Sequence, residues 1–136
     1  MKKKIYIASS WKNQHAVEML TTLLRDRGYE VVSFVETNFY ELATVQKIGL
    51  DAWIASENGF KAFEYDTNGA TKTNLVIYIA PSGKDAAAEV GAAWASGVPV
   101  IGLWAKGEDF GLMRRMITKW YDRHLDLLCE IEKHFK

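Results

Sequence analysis

The side chains best suited to chemistry by type and spacing lie in residues 81–94, PSGKDAAAEVGAAW. An apolar run precedes this segment, and its alanine-rich part predicts a helix. Ser82 and Asp85 have the Ser-x-x-Asp spacing of a loose capping box at the start of that helix. Free backbone N–H groups there, with Lys84 beside them, would suit an anion such as phosphate.

Glu89 is the carboxylate of this helix that is best placed to react. It lies one turn beyond Asp85, on the same helical face. Its neighbours are mostly alanine, so a ligand could approach the helix closely and find the carboxylate in a shallow apolar hollow. Ordinary alternatives remain open: Glu89 as a solvated helix residue, Asp85 as a capping residue, and Gly91 as a point of close helix–sheet packing.

The sequence lacks the motifs of several common sites. It has no P-loop GxxxxGK[ST], no dinucleotide-binding GxGxxG after the first strand and no nucleophile-elbow GxSxG. His15, His124 and His134 show no metal-ligand spacing with the cysteine or with carboxylates. We therefore expect neither a metal nor a cofactor.

Four short apolar runs predict the strands that must position these groups. They cover residues 4–8, 29–35, 75–80 and 98–104. Runs of this length between breaking residues are typical of strands buried on both faces of a parallel sheet. Residues 117–121 could add a fifth strand at an edge.

Helical patterns alternate with these runs. They cover residues 13–26, a long middle segment 41–67, residues 85–96 and residues 123–135. Gly28 stands where a C-cap glycine belongs, and Asp122 is a plausible N-cap of the last helix. The alternation predicts a three-layer α/β/α fold with a flavodoxin-like or Rossmann-like, mostly parallel sheet of four to five strands.

Ligands of such sheets bind at the carboxyl ends of the strands, near the point where the strand order reverses. Four segments of this chain follow the predicted strands: residues 9–13, 36–39, 81–85 and 105–109. The segment that carries the candidate chemistry is therefore one of the segments that the fold itself favours for binding.

Length and composition predict one domain, residues 1–136, with 49% hydrophobic residues for a core. A formal net charge of zero gives no electrostatic reason to expect nucleic acid as a partner. The lone cysteine, Cys129, allows no intrachain disulfide and is expected to pack in the last helix. The sequence has neither a membrane span nor a signal peptide, so we expect a cytoplasmic protein that does not contact membranes.

Three features carry a resemblance to a known family. The most specific is the stretch AAEVGAAWASGVPVI at residues 87–101, and the others are the first strand with Tyr6 and the upstream acid Asp66. Together they resemble the nucleoside 2-deoxyribosyltransferase superfamily, including its deoxynucleoside 5′-monophosphate N-glycosidase-like members. The resemblance covers most of the chain.

The resemblance implies an enzyme that breaks the N-glycosidic bond of a nucleoside or nucleotide. Glu89 would attack the anomeric carbon and form a covalent glycosyl-enzyme. Release by water gives hydrolysis, and release by a second base gives transfer, a two-step logic shared with retaining glycosidases. Tyr6 would orient Glu89, Asp66 would contact the sugar hydroxyls or the base, and Trp11 would stack on the base.

The same resemblance implies roles for two loops. Ser9 joins the substrate-binding residues after the first strand, while Ser82, Lys84 and the amides of Gly83 and Asp85 would hold a 5′-phosphate or 5′-hydroxyl. Transferases of this superfamily usually carry a further acid about six positions before the glutamate, where this chain has Gly83. Asp85 is a nearby substitute, and the PSGK loop favours monophosphate hydrolysis over base exchange.

Other interpretations stay open. Because the upstream acid is missing, the same pocket could bind or sense a nucleotide without catalysis. A flavodoxin-like or receiver-like domain is disfavoured, since residues 9–13 form no glycine-rich phosphate loop. The resemblance also implies a homodimer or higher homo-oligomer in which a neighbouring chain completes the pocket, and residues 111–116 would suit such an interface.

Overall fold

The computed structural model describes residues 2–109 and 111–135. Within them, five parallel strands form a sheet in the order β2-β1-β3-β4-β5. The strands are β1 (Lys4–Ala8), β2 (Glu30–Val32), β3 (Leu75–Ile79), β4 (Val100–Leu103) and β5 (Lys119–Tyr121). The predicted α/β fold is confirmed, and the tail supplies the fifth, edge strand.

Six α-helices occur in the described part of the chain. They are α1 (Gln14–Asp26), α2 (Leu42–Ile48), α3 (Leu50–Ile54), α4 (Glu57–Thr71), α5 (Lys84–Ala95) and α6 (His124–His134). Short 3-10 segments cover Trp11–Asn13, Phe34–Glu36 and Gly111–Met116. None of the described helices combines the length and apolar character needed to cross a membrane.

Two apolar clusters fill the space on either side of the sheet. Ile5 and Ile7 of β1 pack with α1 and α6 on one side. Tyr6 and Ala8, which alternate with them along the strand, pack with α5 and Ala70 of α4 on the other side. The three layers thus follow from the period-two pattern of the buried strands, and Tyr6 faces the layer that carries Glu89.

The long helical middle, predicted as one segment over residues 41–67, is divided into three helices. Gly49 separates α2 from α3 with a backbone φ of 89°, which side-chain-bearing residues rarely adopt. Ser56 then caps α4, since its side chain accepts a hydrogen bond from the Gly59 amide at 3.1 Å. Helix α4 also continues to Thr71, beyond the predicted end.

Two predicted strands are shorter than their apolar runs. The run 29–35 forms a strand only over Glu30–Val32, because Phe34–Glu36 turns into a 3-10 segment. Arg25 fixes that turn by donating to both Glu36 carboxylate oxygens at 2.6 Å. The run 98–104 pairs over Val100–Leu103, and Pro99 before it has no N–H for the ladder.

The predictions about helix ends and the cysteine had mixed outcomes. Gly28 has the positive φ, 92°, expected just after α1. Asp122 is not the N-cap of α6. That position is Arg123, so Asp122 lies one residue too early to reach the first amides of the helix. The prediction that Cys129 packs in the core is also wrong, because its side chain is exposed.

Candidate active site

Tyr6 and Glu89 are 83 positions apart in the sequence and share a hydrogen bond. The Tyr6 hydroxyl donates to Glu89 Oε1 at 2.5 Å. Tyr6 is fully buried in the central region of the sheet, and Glu89 lies in the second turn of α5. Because the core fixes the tyrosine ring, the hydrogen bond fixes the position of the carboxylate.

The environment of Glu89 disfavours its charge. Burial raises the pKa of Glu89 well above its usual value, and the negative charge of Asp66 raises it further. The hydrogen bond from Tyr6 acts in the opposite direction, and Asp85 adds a smaller upward effect. A carboxylate perturbed in this way is typical of a functional group rather than of a solvated helix residue.

Asp66 reaches the same place from α4. Burial raises its pKa to about 6, against a lowering effect of its hydrogen bond with Tyr6 and a raising effect of Asp85. The Tyr6 hydroxyl therefore interacts with two carboxylates. Burial, then the charges of Glu89 and Asp66, raise the pKa of Tyr6, so the phenol stays protonated and remains a donor.

Gly69 is a positioning residue that the sequence interpretation missed. It lies one turn beyond Asp66 on α4 and is buried against the ring of Tyr6. A Cβ at this position would stand 2.2 Å from Cδ1 and 2.6 Å from Cε1 of that ring. Because the helical segment was predicted to end at residue 67, Gly69 lay beyond it and had no packing signal, whereas α4 continues to Thr71. The sequence could not say which side chain needs the space.

The loop before α5 differs from the predicted capping box. The N-cap is Gly83, and among the described residues no side-chain hydrogen bond caps the helix there. Ser82 lies one residue before the cap, too early to reach the amides of the first turn. Its Oγ is buried without a hydrogen-bond partner among the described residues. Lys84 and Asp85 are exposed in the first turn of the helix.

Ser9 and Asn13 connect the end of β1 to this loop. The Ser9 hydroxyl donates to the Ile79 carbonyl at 2.9 Å and accepts from Asn13 Nδ2 at 3.0 Å. Asn13 Nδ2 also donates to the Pro81 carbonyl at 2.7 Å. Ser9 was predicted to bind substrate, and in the structure its hydroxyl holds the backbone at the end of β3. Asn13 joins residues 9–13 to residues 81–85, two of the segments expected at the carboxyl edge of the sheet.

Trp11 lies at the same edge, on the side of β2. The residue is 39% exposed, and its ring packs edge-on against Phe34, with ring centroids 5.4 Å apart. Tyr40 is stacked near it at 6.3 Å. Trp11, which was predicted to stack on the base, therefore belongs to a packed aromatic group and stays partly exposed at the carboxyl edge of the sheet.

Two solved structures resemble this chain over nearly its whole length. One is a 2-deoxyribosyltransferase from the psychrotolerant bacterium Bacillus psychrosaccharolyticus, with a TM-score of 0.66, 23% identity, and coverage of 91% of this chain and 89% of that chain. The other is the CMP N-glycosidase BcmB of Clostridium botulinum, with a TM-score of 0.54, 19% identity, and coverage of 96% and 98%. No protein-family model and no curated protein sequence matches the chain.

The chain has the 2-deoxyribosyltransferase fold. The fold that the sequence resemblance implied is thereby confirmed over most of the chain. The carboxyl edge of this fold brings Tyr6, Asp66 and Glu89 together, and Asp85 lies close enough to influence the last two electrostatically.

Other features of this 2-deoxyribosyltransferase fold lie away from Glu89. An open hollow of about 710 Å³, lined in part by Lys3, Arg27 and Phe135, borders the amino-terminal edge of the sheet. His15 is exposed on α1 and pairs with Glu18 at 3.4 Å. Within residues 2–109 and 111–135, no group of three or more histidine, cysteine or acidic side chains is arranged to hold a metal ion.

Proposed function

We propose that this chain is an enzyme that cleaves or transfers the N-glycosidic bond of a (deoxy)nucleoside or its 5′-monophosphate, with Glu89 as nucleophile. The observation that carries the proposal is the 2.5 Å hydrogen bond from the buried Tyr6 hydroxyl to Glu89 Oε1. A nucleophile held by a fixed partner is the arrangement that covalent catalysis requires. The two similar structures are a deoxyribosyltransferase and a CMP N-glycosidase, and this similarity favours the N-glycosidic bond as the target.

The reaction proceeds in two displacements. A Glu89 oxygen attacks the anomeric carbon, and the C–N bond breaks with its electron pair leaving on the base, which takes up a proton. The resulting glycosyl–Glu89 ester is then attacked at the same carbon by water or by a second base, which gives up a proton to solvent, and Glu89 leaves as a carboxylate. Positive charge develops on the sugar in both steps, and the negative charges of Glu89 and Asp66 stabilise it.

The remaining roles follow the geometry of the edge. Tyr6 stays neutral and orients Glu89, while Asp66, which lies beside both of them, bonds the sugar hydroxyls. Trp11 and Ser9 border the base side, where Trp11 presents its exposed ring. The loop of Ser82, Gly83, Lys84 and Asp85 receives the 5′ end of the sugar, and its Lys84 charge favours hydrolysis of a monophosphate over base exchange.

The rate is expected to rise with pH along a limb well above pH 4.5, the usual pKa of a glutamate. Attack requires ionised Glu89, and burial and Asp66 both raise its pKa, so the active form appears only at higher pH. Asp66→Asn removes one of these causes and should move the limb to lower pH. The measurement is kcat/KM from about pH 5 to about pH 9, which reports the free enzyme.

Asp51→Asn is the matched control for this profile, because Asp51 is an exposed carboxylate in the separate helix α3. It should leave the limb where the wild type has it. A wild-type kcat/KM that is already constant from about pH 5 upward would contradict the proposed role of Glu89. An unchanged limb in Asp66→Asn would show that Asp66 does not act on Glu89.

We also propose that the chain works as a homo-oligomer. Trp94 of α5 is 59% exposed and Leu112 is 76% exposed. They lie on neighbouring elements, since Gly91 of α5 faces Met116. Size-exclusion chromatography with light scattering should give at least twice the chain mass, and Trp94→Glu should reduce it. A monomer at the assay concentration would refute the proposal.

The activity itself is tested with a panel of (deoxy)nucleosides and their 5′-monophosphates, with and without a second free base. Free base from monophosphates identifies a nucleotide N-glycosidase, and a new nucleoside formed only with added base identifies a transferase. The missing acid at position 83 favours one further candidate, a nucleotide-binding module without catalysis. Nucleotide binding without turnover of any substrate would select that candidate.

A further inference from the structure

A second buried tyrosine on the same sheet face also holds a carboxylate. Tyr78 of β3 is fully buried, and its hydroxyl donates to Glu108 Oε1 at 3.0 Å and Oε2 at 2.8 Å. The strand register places Tyr78 beside Ala8, whereas Tyr6 lies beside Val76. Tyr78 is therefore nearer than Tyr6 to the carboxyl edge, where the loop before α5 begins.

Glu108 belongs to the loop after β4, and this loop packs on the loop before α5. A Cβ at Gly107 would be 4.0 Å from Cβ and Cγ of Pro81, which is ordinary van der Waals contact. The Tyr78 hydroxyl also lies within reach of the backbone of Ser82. One phenol thus connects the loop after β4 with the residue that precedes the Gly83 cap.

The other side of the same loop is fixed from β1, where Asn13 donates to the Pro81 carbonyl at 2.7 Å. Among the described residues no side-chain hydrogen bond caps α5 at Gly83, so these contacts reach the loop from outside it. Contacts from both neighbouring strand ends therefore hold the segment that contains Ser82 and Gly83. Tyr78 and Glu108 provide the contact on the β4 side.

We propose that Tyr78 and Glu108 are positioning residues that hold the loop of residues 81–84 in its substrate-binding form and so set the affinity for the 5′ end of the substrate. This inference rests on the proposed function, since it takes that loop as the substrate contact. The ring of Tyr78 is held in turn by an edge contact with Trp120, whose centroid is 5.8 Å away. Both carboxylate oxygens of Glu108 accept a hydrogen bond from Tyr78. Glu108 therefore acts on the loop through Tyr78, and the bond-breaking step belongs to Glu89.

Three variants test the pair: Tyr78→Phe, Glu108→Ala and their combination. Tyr78→Phe should raise KM for the preferred monophosphate about tenfold with kcat within about twofold of wild type, and Glu108→Ala, which removes only the hydrogen bond between the two side chains, should raise KM by no more than that. The double variant should be no worse than Tyr78→Phe alone. Glu108→Gln keeps an oxygen that accepts from Tyr78 and should restore most of the affinity. Tyr29→Phe, at the opposite edge of the sheet, is the control and should change nothing.

Amide hydrogen exchange provides a readout that does not depend on turnover. Exchange at residues 82–85 should speed up in Tyr78→Phe and Glu108→Ala, and stay at the wild-type rate in Tyr29→Phe. Unchanged exchange, an unchanged KM, a loss confined to kcat, or single effects that multiply in the double variant would each overturn the inference. If the wild-type protein releases no base, the proposed function fails, and exchange together with monophosphate binding to Glu89→Gln still decides whether the pair holds the loop.

Discussion

Glu89→Gln is expected to lower the rate of base release by at least about 1,000-fold, the scale on which enzymes lose activity when a nucleophile is removed. The amide keeps nearly the size of the carboxylate and can still accept the hydrogen bond from Tyr6. It cannot form the glycosyl ester, however, so the first displacement stops. Chromatographic measurement of free base from the best substrate of the panel gives the rate.

The same variant should be more stable than the wild type at neutral and alkaline pH. The pKa of Glu89 is raised in the folded state, so the folded protein binds this proton more tightly than the unfolded chain does. Stability contributed by the group is therefore present below the ordinary pKa of 4.5 and is lost as pH rises through the folded pKa. The amide of the variant carries no charge and avoids this loss, so the melting temperature of Glu89→Gln should exceed that of wild type at pH 8 but not at pH 4.

Glu64→Gln is the matched control, because Glu64 is an exposed glutamate on α4 and its replacement changes the net charge equally. It should keep both the activity and the melting temperature of wild type. Base release by Glu89→Gln at a rate close to that of wild type would exclude Glu89 as nucleophile. A less stable Glu89→Gln at pH 8 would contradict the electrostatic account of the site.

The sequence predicted the layers of this fold because buried parallel strands have a strong signature. The run 75–80 is apolar at every position, and such a run has few alternatives to a central strand. The same signature failed at the ends of strands. Pro99 and the Arg25–Glu36 pair end or redirect segments whose composition alone would have continued them.

The site was predicted less completely, for a physical reason. Tyr6 and Glu89 were paired by family resemblance, and no periodicity within the sequence relates two residues 83 positions apart. Predictions based on local spacing were weaker. The Ser82 capping box failed because the helix begins one residue later than the spacing requires. The segment 105–109 was expected at the carboxyl edge of the sheet, but no motif paired its Glu108 with Tyr78, since only the register of β3 and β4 brings the two together.

Gly69→Ala should have the second large effect, through the ring of Tyr6. The new Cβ would lie 2.2 Å from Cδ1 of a ring that is fully buried, so the ring or α4 must move. Overpacking of this kind costs about 1–3 kcal/mol, against a gain of about 1 kcal/mol when alanine replaces glycine in a helix. A displaced phenol no longer orients Glu89, and kcat/KM should fall by about 10- to 100-fold.

Gly91→Ala is the matched control on the helix that carries Glu89. Gly91 lies about 200° around α5 from Glu89, and its nearest neighbour, Met116 Sδ, would be 4.0 Å from a new Cβ. This substitution should raise stability by about 0.5–1 kcal/mol and keep the activity. Measuring thermal unfolding and kcat/KM for both glycine variants separates a general helix effect from a specific effect on the site.

The double variant Tyr6→Phe/Gly69→Ala decides whether Gly69 acts through the tyrosine. Tyr6→Phe removes the hydroxyl and leaves the ring, so it abolishes the hydrogen bond to Glu89 on its own. If Gly69→Ala lowers the rate only by moving that hydroxyl, it has nothing further to remove in the Tyr6→Phe background, and the two losses do not multiply. Losses that do multiply would mean that Gly69 shapes the site by another route, such as the position of Asp66 one turn away on the same helix.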